Sequence, residues 1–155
     1  MNTARVISAA DIVPNRAASY ELVNGEIKNE VLYVSPKLNT TADGALYLTL
    51  RDLIAWDAAV RRRAILRPES CAQILTPVKL NDGSAYPYGF GWGVDVRGGR
   101  PMYRHGGSWQ SFKTHLAQFI GDDLSIIVLA NAGQADPGEI VDGIAAILDP
   151  QLAKQ

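Results

Sequence analysis

The residues in this chain best suited to chemistry are Tyr103-Arg104-His105-Gly106-Gly107-Ser108-Trp109. A titratable ring followed by two glycines, at the end of a strand-like run, sits beside backbone with no side chains in the way. A ligand can approach such backbone closely. On its own the tripeptide also fits a hairpin end that carries a surface histidine, so its meaning depends on what flanks it.

Other chemistries find less support. His105 and His115 are ten residues apart with no carboxylate at ligand spacing, Asp122-Asp123 reads as a solvated turn, and Cys71 stands alone. No metal centre and no cofactor are expected. Cys71 fits a small core hydrophobe. The acidic residues are too scattered to argue for a glycosidase pair. Nucleophilic serine chemistry needs a base near the serine. There is no Gly-x-Ser-x-Gly elbow, and none of Ser8, Ser19, Ser35, Ser70, Ser84, Ser108, Ser111 and Ser125 has a lysine three residues on. Gly89, Gly91 and Gly93 miss the dinucleotide-binding spacing, and no helix follows them.

The elements that would position the motif read as follows. Residues 1–19 show no clear first element. Asn24-Gly25 between Tyr20–Val23 and Glu26–Asn29 predicts a hairpin with a type I′ turn. Val31–Val34 is a further apolar stretch, and 37–46 reads as a loop. Thr49-Leu50-Arg51-Asp52 resembles a capping box opening a helix, with Leu50, Leu53, Ile54 and Val60 as its apolar stripe. Arg61-Arg62-Arg63 suits the negative end of that helix. Pro68–Leu75 predicts a short helix stopped by Thr76-Pro77, and residues 81–84 read as a loop. Next comes an antiparallel meander with strands near 88–97, 101–106, 111–120 and 124–130. Asp136-Pro137 caps a last helix whose Ile140, Val141, Ile144, Ala145, Ile147 and Leu148 should lie across the sheet. The fold class is α+β, in one domain spanning 1–155.

The chain has 155 residues, 47% of them hydrophobic, and a net charge of -1. That size can bury a core, and the charge argues against a nucleic-acid partner. No apolar run reaches the ~18 residues of a membrane helix, so no membrane partner is expected. The N-terminus lacks a signal-peptide pattern. This favours either a cytoplasmic protein or a piece of a longer chain whose parent is periplasmic or secreted.

The ordered set of motifs resembles the serine β-lactamase-like family, which includes class C β-lactamases, penicillin-binding DD-peptidases and related esterases. The resemblance is carried by Asp43-Gly44-Ala45-Leu46-Tyr47-Leu48-Thr49-Leu50-Arg51-Asp52-Leu53, Leu66–Ser70, Ile74–Pro77, Tyr88–Gly93, His105–Trp109 and Val128–Asn131. It implies a β-lactamase/transpeptidase-like fold and acyl transfer on a β-lactam, an ester or a D-amino-acid peptide. Of that family's three motifs only the third, His105-Gly106-Gly107, is here. Neither Ser-x-x-Lys nor Tyr-x-Asn occurs. Met1–Arg5 is similar to the region that follows the tyrosine motif. The chain therefore resembles the C-terminal part of a longer catalytic domain.

The resemblance also implies roles. The backbone N–H of Ser108 would be one oxyanion-hole donor, His105 would act near the substrate, and Gly106 and Gly107 would let substrate pair along the strand. Trp109, at the end of the same strand, reads as pocket wall or core beside the substrate rather than as a ligand anchor. His115 reads as an exposed strand residue. The expected partner is a small acyl substrate or a peptide, bound along the Met102–His105 edge if the chain is a binding module. In the family, the strand matching 124–130 pairs with a strand from the start of the domain. Without it, self-association or pairing with an N-terminal fragment through 124–130 is expected.

Overall fold

The computed structural model of the chain describes residues 1–6, 11–29 and 46–154. The Val31–Val34 stretch and most of the expected 37–46 loop lie outside the described residues. Strand β1 (Arg5–Val6) is followed by β2 (Tyr20–Val23) and β3 (Glu26–Asn29), joined by the expected turn. Asn24 and Gly25 are both left-handed there, with φ of 53° and 83°. Strand β4 (Leu46–Tyr47) pairs with β1. Both are two residues long and were invisible in the sequence, and the expected loop thus ends before Leu46.

Helix α1 (Leu50–Arg61) opens on a complete capping box. Thr49 Oγ1 accepts from the Asp52 N–H, and the Asp52 carboxylate accepts from the Thr49 N–H at 3.1 Å. At its other end Arg62 Nε donates to the Ala58 carbonyl. Arg61 turns instead toward the sheet, donating to Ser125 Oγ at 3.0 Å and pairing with Asp123. Helix α2 (Pro68–Ile74) has Pro68 in its first turn and buries Cys71. The 81–84 loop then closes a hairpin of β5 (Val78–Lys79) and β6 (Ala85–Tyr86) that the sequence did not signal.

The main sheet is antiparallel. It runs β7 (Gly93–Arg97), β8 (Arg100–Trp109), β9 (Phe112–Phe119) and β10 (Leu124–Ala130), with spatial order β10-β9-β8-β7. Two boundaries differ clearly from expectation. The strand expected from 88 begins only at Gly93, because residues 88–92 double back: Gly89 N–H reaches the Trp92 carbonyl, and Gly91 is left-handed. The strand expected over 101–106 runs to Trp109, because His105–Trp109 find a complete ladder in Leu116–Phe112. That ladder overrides the weak strand propensity of two glycines.

Helix α3 (Pro137–Leu148) is capped by Asp136, whose carboxylate accepts from the Glu139 N–H. It covers one face of the sheet. Met102, Ala117, Phe119 and Ile126 meet Val141, Ala145 and Leu152 in the core. Strand alternation sends Gln118 and Ser125 to the opposite face, where α1 holds them through Asp57 and Arg61. Gln118 Nε2 donates to Asp57 Oδ1 at 2.7 Å, both residues buried. Trp56 of α1 stacks on the buried Trp92, ring centroids 5.8 Å apart.

Both apolar helix stripes require correction. On α1 the buried residues are Asp52 and Asp57, whereas Leu50 and Ile54 are exposed. The reason is that α1 meets the sheet through polar anchors. On α3 only Val141 and Ala145 face the core, and Ile140, Ile144, Leu148 and above all Ile147, 84% exposed, point away. A helix lying flat on a sheet buries a stripe narrower than its apolar surface here.

Candidate active site

Strand β8 positions the motif. Its Met102–Arg104 stretch lies between two strands, pairing with Asp95–Gly93 on one side and with Phe119–Ala117 on the other. Its second half pairs only with β9, up to Trp109↔Phe112. Beyond Arg104, among the described residues, β8 therefore has one uncovered edge, at His105–Trp109. The edge expected over Met102–His105 is corrected accordingly: Met102, Tyr103 and Arg104 are covered by β7, because that strand reaches back to Gly93. The turn after Trp109 has two residues, Gln110 and Ser111, both with positive φ (45° and 59°). Two-residue hairpin turns favour that geometry, normally with Asn or Gly. Here Ser111 Oγ donates to Glu21 Oε1 at 3.0 Å, tying the β2–β3 hairpin to the end of the motif strand. Tyr20 adds to this junction: its N–H reaches the Asn131 carbonyl and its carbonyl accepts from Gly133 N–H, both at 2.8 Å.

Alternation divides the motif between the two faces. Met102 faces α3, so Arg104, Gly106 and Ser108 share that side, and His105, Gly107 and Trp109 lie on the α1 side. His105 Nε2 lies 3.0 Å from the Tyr88 hydroxyl, within hydrogen-bond reach, with the rings tilted at 56°. Tyr88 arrives from the folded-back segment before β7. The imidazole is exposed and Tyr88 half-buried.

The glycines have a packing role. A Cβ on Gly107 would stand 2.6 Å from Thr114 Oγ1, and one on Gly106 would stand 3.3 Å from His115 Nδ1. Neither glycine has a positive φ. They are small because β9 places Thr114 and His115 directly across the ladder. His115 is correspondingly not the exposed strand residue expected. It is half-buried, and Gly138 in the first turn of α3 leaves only 3.6 Å between its own would-be Cβ and His115 Nδ1. Burial pushes the His115 imidazole below its ordinary pKa, and the Arg104 guanidinium adds to this.

Ser108 and Lys113 are cross-strand partners, and Lys113 Nζ donates to Ser108 Oγ at 2.8 Å. The amine holds the hydroxyl oxygen as an acceptor, on the face opposite His105. Trp109 is half-buried at the end of the strand. Thus β8 brings His105 and Trp109 to one face, and Ser108 to the other. Sequence reading missed Tyr88 and Lys113. Lys113 could have been found by counting back from the two-residue turn, since that turn fixes the register. Nothing in the local sequence signals that Tyr88 reaches His105.

The comparisons with known proteins bear on the family and the fold. The Beta-lactamase family model matches residues 1–149. The chain belongs to the β-lactamase family. Among curated relatives, a D-aminopeptidase of Gluconobacter oxydans (strain 621H) is 27% identical over 129 residues, 82% of this chain and 24% of its own. Penicillin-binding protein 4* of Bacillus subtilis (strain 168) is 29% identical over 108 residues, 68% of this chain and 23% of its own. The chain thus spans about a quarter of the length of these relatives. A penicillin binding protein from Bacillus halodurans superposes with a TM-score of 0.75 at 22% identity, over 93% of this chain and 44% of that one. An octameric penicillin-binding protein homologue from Pyrococcus abyssi gives 0.75 at 21%, over 96% and 34%. The fold of this β-lactamase-family chain is therefore that of penicillin-binding proteins, an α+β sheet flanked by helices.

Proposed function

We propose that this chain supplies one wall of an acyl-transfer site in a β-lactamase-like serine hydrolase and is inactive alone. The observation that carries this reading is the His105–Tyr88 pair beside the uncovered end of β8, in a chain of this family. His105 would act as hydrogen-bonding or charge-stabilising group toward the substrate. The Ser108 N–H would be one oxyanion donor, a contribution typically worth ~3–4 kcal/mol in the transition state. It does nothing without a nucleophile, and the chain has no Ser-x-x-Lys. The relatives, a D-aminopeptidase and a penicillin-binding protein, favour a peptide bearing a D-amino acid, or a β-lactam, as substrate class. By the same reading, β10 pairs with a segment from the start of the domain.

The test combines turnover and labelling. Nitrocefin and p-nitrophenyl acetate should give no turnover above background, and mass spectrometry should find no acyl adduct. A stoichiometric adduct on this chain would sink the proposal. Its second reading, a binding module without turnover, rests on the free edge of His105–Trp109, to which an extended peptide adds as a strand. There, NMR titration with a D-amino-acid peptide should shift residues 105–109 saturably, and Tyr88→Phe should weaken the response by releasing His105. Silence of residues 105–109 toward both the peptide and a β-lactam counts against both readings.

A further inference from the structure

A second polar feature lies on the α3 face of the sheet, behind the strand that carries His105. The β7–β8 hairpin closes on Gly98-Gly99, both left-handed, with φ of 55° and 74°. The C-terminal turn at Pro150–Leu152 rests on it so closely that a Cβ on Gly98 would meet the Gln151 carbonyl oxygen at 2.6 Å. The chain end then runs past β7, and between them lies a cavity of about 380 Å³ lined by Asp95, Arg97, Gly98, Gly99, Arg104 and Lys154, among others.

The charges around this cavity do not balance. Arg97, Arg104 and Lys154 face two carboxylates, Asp95 and Asp142, which they share. Arg97 Nη2 lies 3.1 Å from Asp142 Oδ1, the only contact here within hydrogen-bond reach. The others are long: Arg97 to Asp95 at 3.9 Å, Arg104 to Asp95 at 3.6 Å and Lys154 to Asp142 at 3.8 Å. The Arg97 side chain is only 10% exposed, and among the described residues its Nη1 has no hydrogen-bond acceptor. A guanidinium donor buried without an acceptor is costly, and native structures rarely keep one without a reason. Among the described residues these three cations exceed the two carboxylates by one charge, and their donors exceed the acceptors offered.

We propose that this cavity is a binding site for a small oxyanion, a carboxylate or phosphate group. Such a group brings the missing negative charge and several acceptor oxygens. Guanidinium forks match it with paired hydrogen bonds, and Lys154 adds an exposed ammonium at the rim. Gly98 and Gly99 present backbone without side chains at the same wall. The site is separate from the acyl-transfer reading: Arg97 and Arg104 lie on the α3 face and His105 on the α1 face, so the two ligands do not compete.

The test uses the full chain and two probes, inorganic phosphate and acetate, each titrated at constant ionic strength against chloride and followed by NMR. Saturable shifts at Gly98, Gly99 and Lys154 in the millimolar range are expected from at least one probe, and whichever saturates names the ligand class. Arg104→Gln and Lys154→Ala are exposed substitutions that leave the Arg97–Asp142 pair in place. Each should weaken binding roughly tenfold, the loss expected for one charge-assisted hydrogen bond. Asp95→Asn, by removing a competing carboxylate, should tighten it. Shifts no different from those in chloride overturn the proposal, and so does an affinity unchanged in both Arg104→Gln and Lys154→Ala.

Discussion

The two histidines of the motif region sit on opposite faces of neighbouring strands and do different things. His105 is exposed and bound to Tyr88 Oη, available to a ligand. His115 is wedged between Gly106 and the first turn of α3. Its burial, together with Arg104 and, least, His105, lowers its pKa below 6.5, while Asp142 and Asp136 oppose this. The unfolded chain therefore takes up a proton at this residue before the folded one does. The stability it contributes is fully present above about 6.5 and is lost as pH falls from there through the lowered folded value. In urea unfolding series, the wild-type free energy should fall with decreasing pH in that window. His115→Gln should flatten that slope, and an unchanged slope would mean that burial does not govern the ring.

At the scale of elements, short-range side-chain chemistry placed helix starts more reliably than apolar patterning placed helix faces. Thr49 and Asp52 cap α1 reciprocally, and Asp52 also accepts from the Thr3 N–H at 3.3 Å and from the Thr3 hydroxyl. The Thr3 hydroxyl, opposed by burial and aided by Thr49, holds the Asp52 carboxyl well below the usual carboxylate range. The cap thus ties the first residues of the chain to α1. Thr49→Ala should cost about 1 kcal/mol, the usual value of a lost N-cap, measured by chemical denaturation. A change near zero would show that the Thr49 hydroxyl adds nothing to the cap, the Asp52 carboxylate being held by Thr3 and by the residue-49 N–H. The hairpin at Asn24-Gly25 and the Asp136-Pro137 helix start were legible for the same reason: each is a local arrangement that a few residues determine. The strands β1, β4, β5 and β6 were not, because two-residue strands have no period and exist only where a partner meets them.

At the scale of the whole molecule, large apolar side chains lie at the surface of both long helices. Ile140, Ile144 and Ile147 face outward from α3, Leu50 and Ile54 outward from α1. Among the described residues β10 is an edge strand of the main sheet, with Leu129 40% exposed, and the nearest pairing beyond β9 is the Tyr20–Ala132 bridge just past its end. Unprotected edges invite strand pairing. Light scattering should therefore show a mass that rises with protein concentration, and a lysine at Leu129 should reduce it. A monodisperse monomer over a wide concentration range would contradict the expected pairing through 124–130.

What the sequence determined by itself was the meander, its family and the strand that carries His105-Gly106-Gly107, because hydrophobic period, turn residues and motif order are all encoded along the chain. It also bounded the chemistry, since a missing Ser-x-x-Lys is visible without coordinates. Only the tertiary structure decided what surrounds the motif. The ladder register put Lys113 against Ser108 and His115 against Gly106. The fold-back before β7 put Tyr88 against His105, and the end of β7 at Gly93 left the edge from His105 to Trp109 open. Those contacts join residues far apart in the chain, and the register and packing that create them are shared by whole strands rather than written in any short segment.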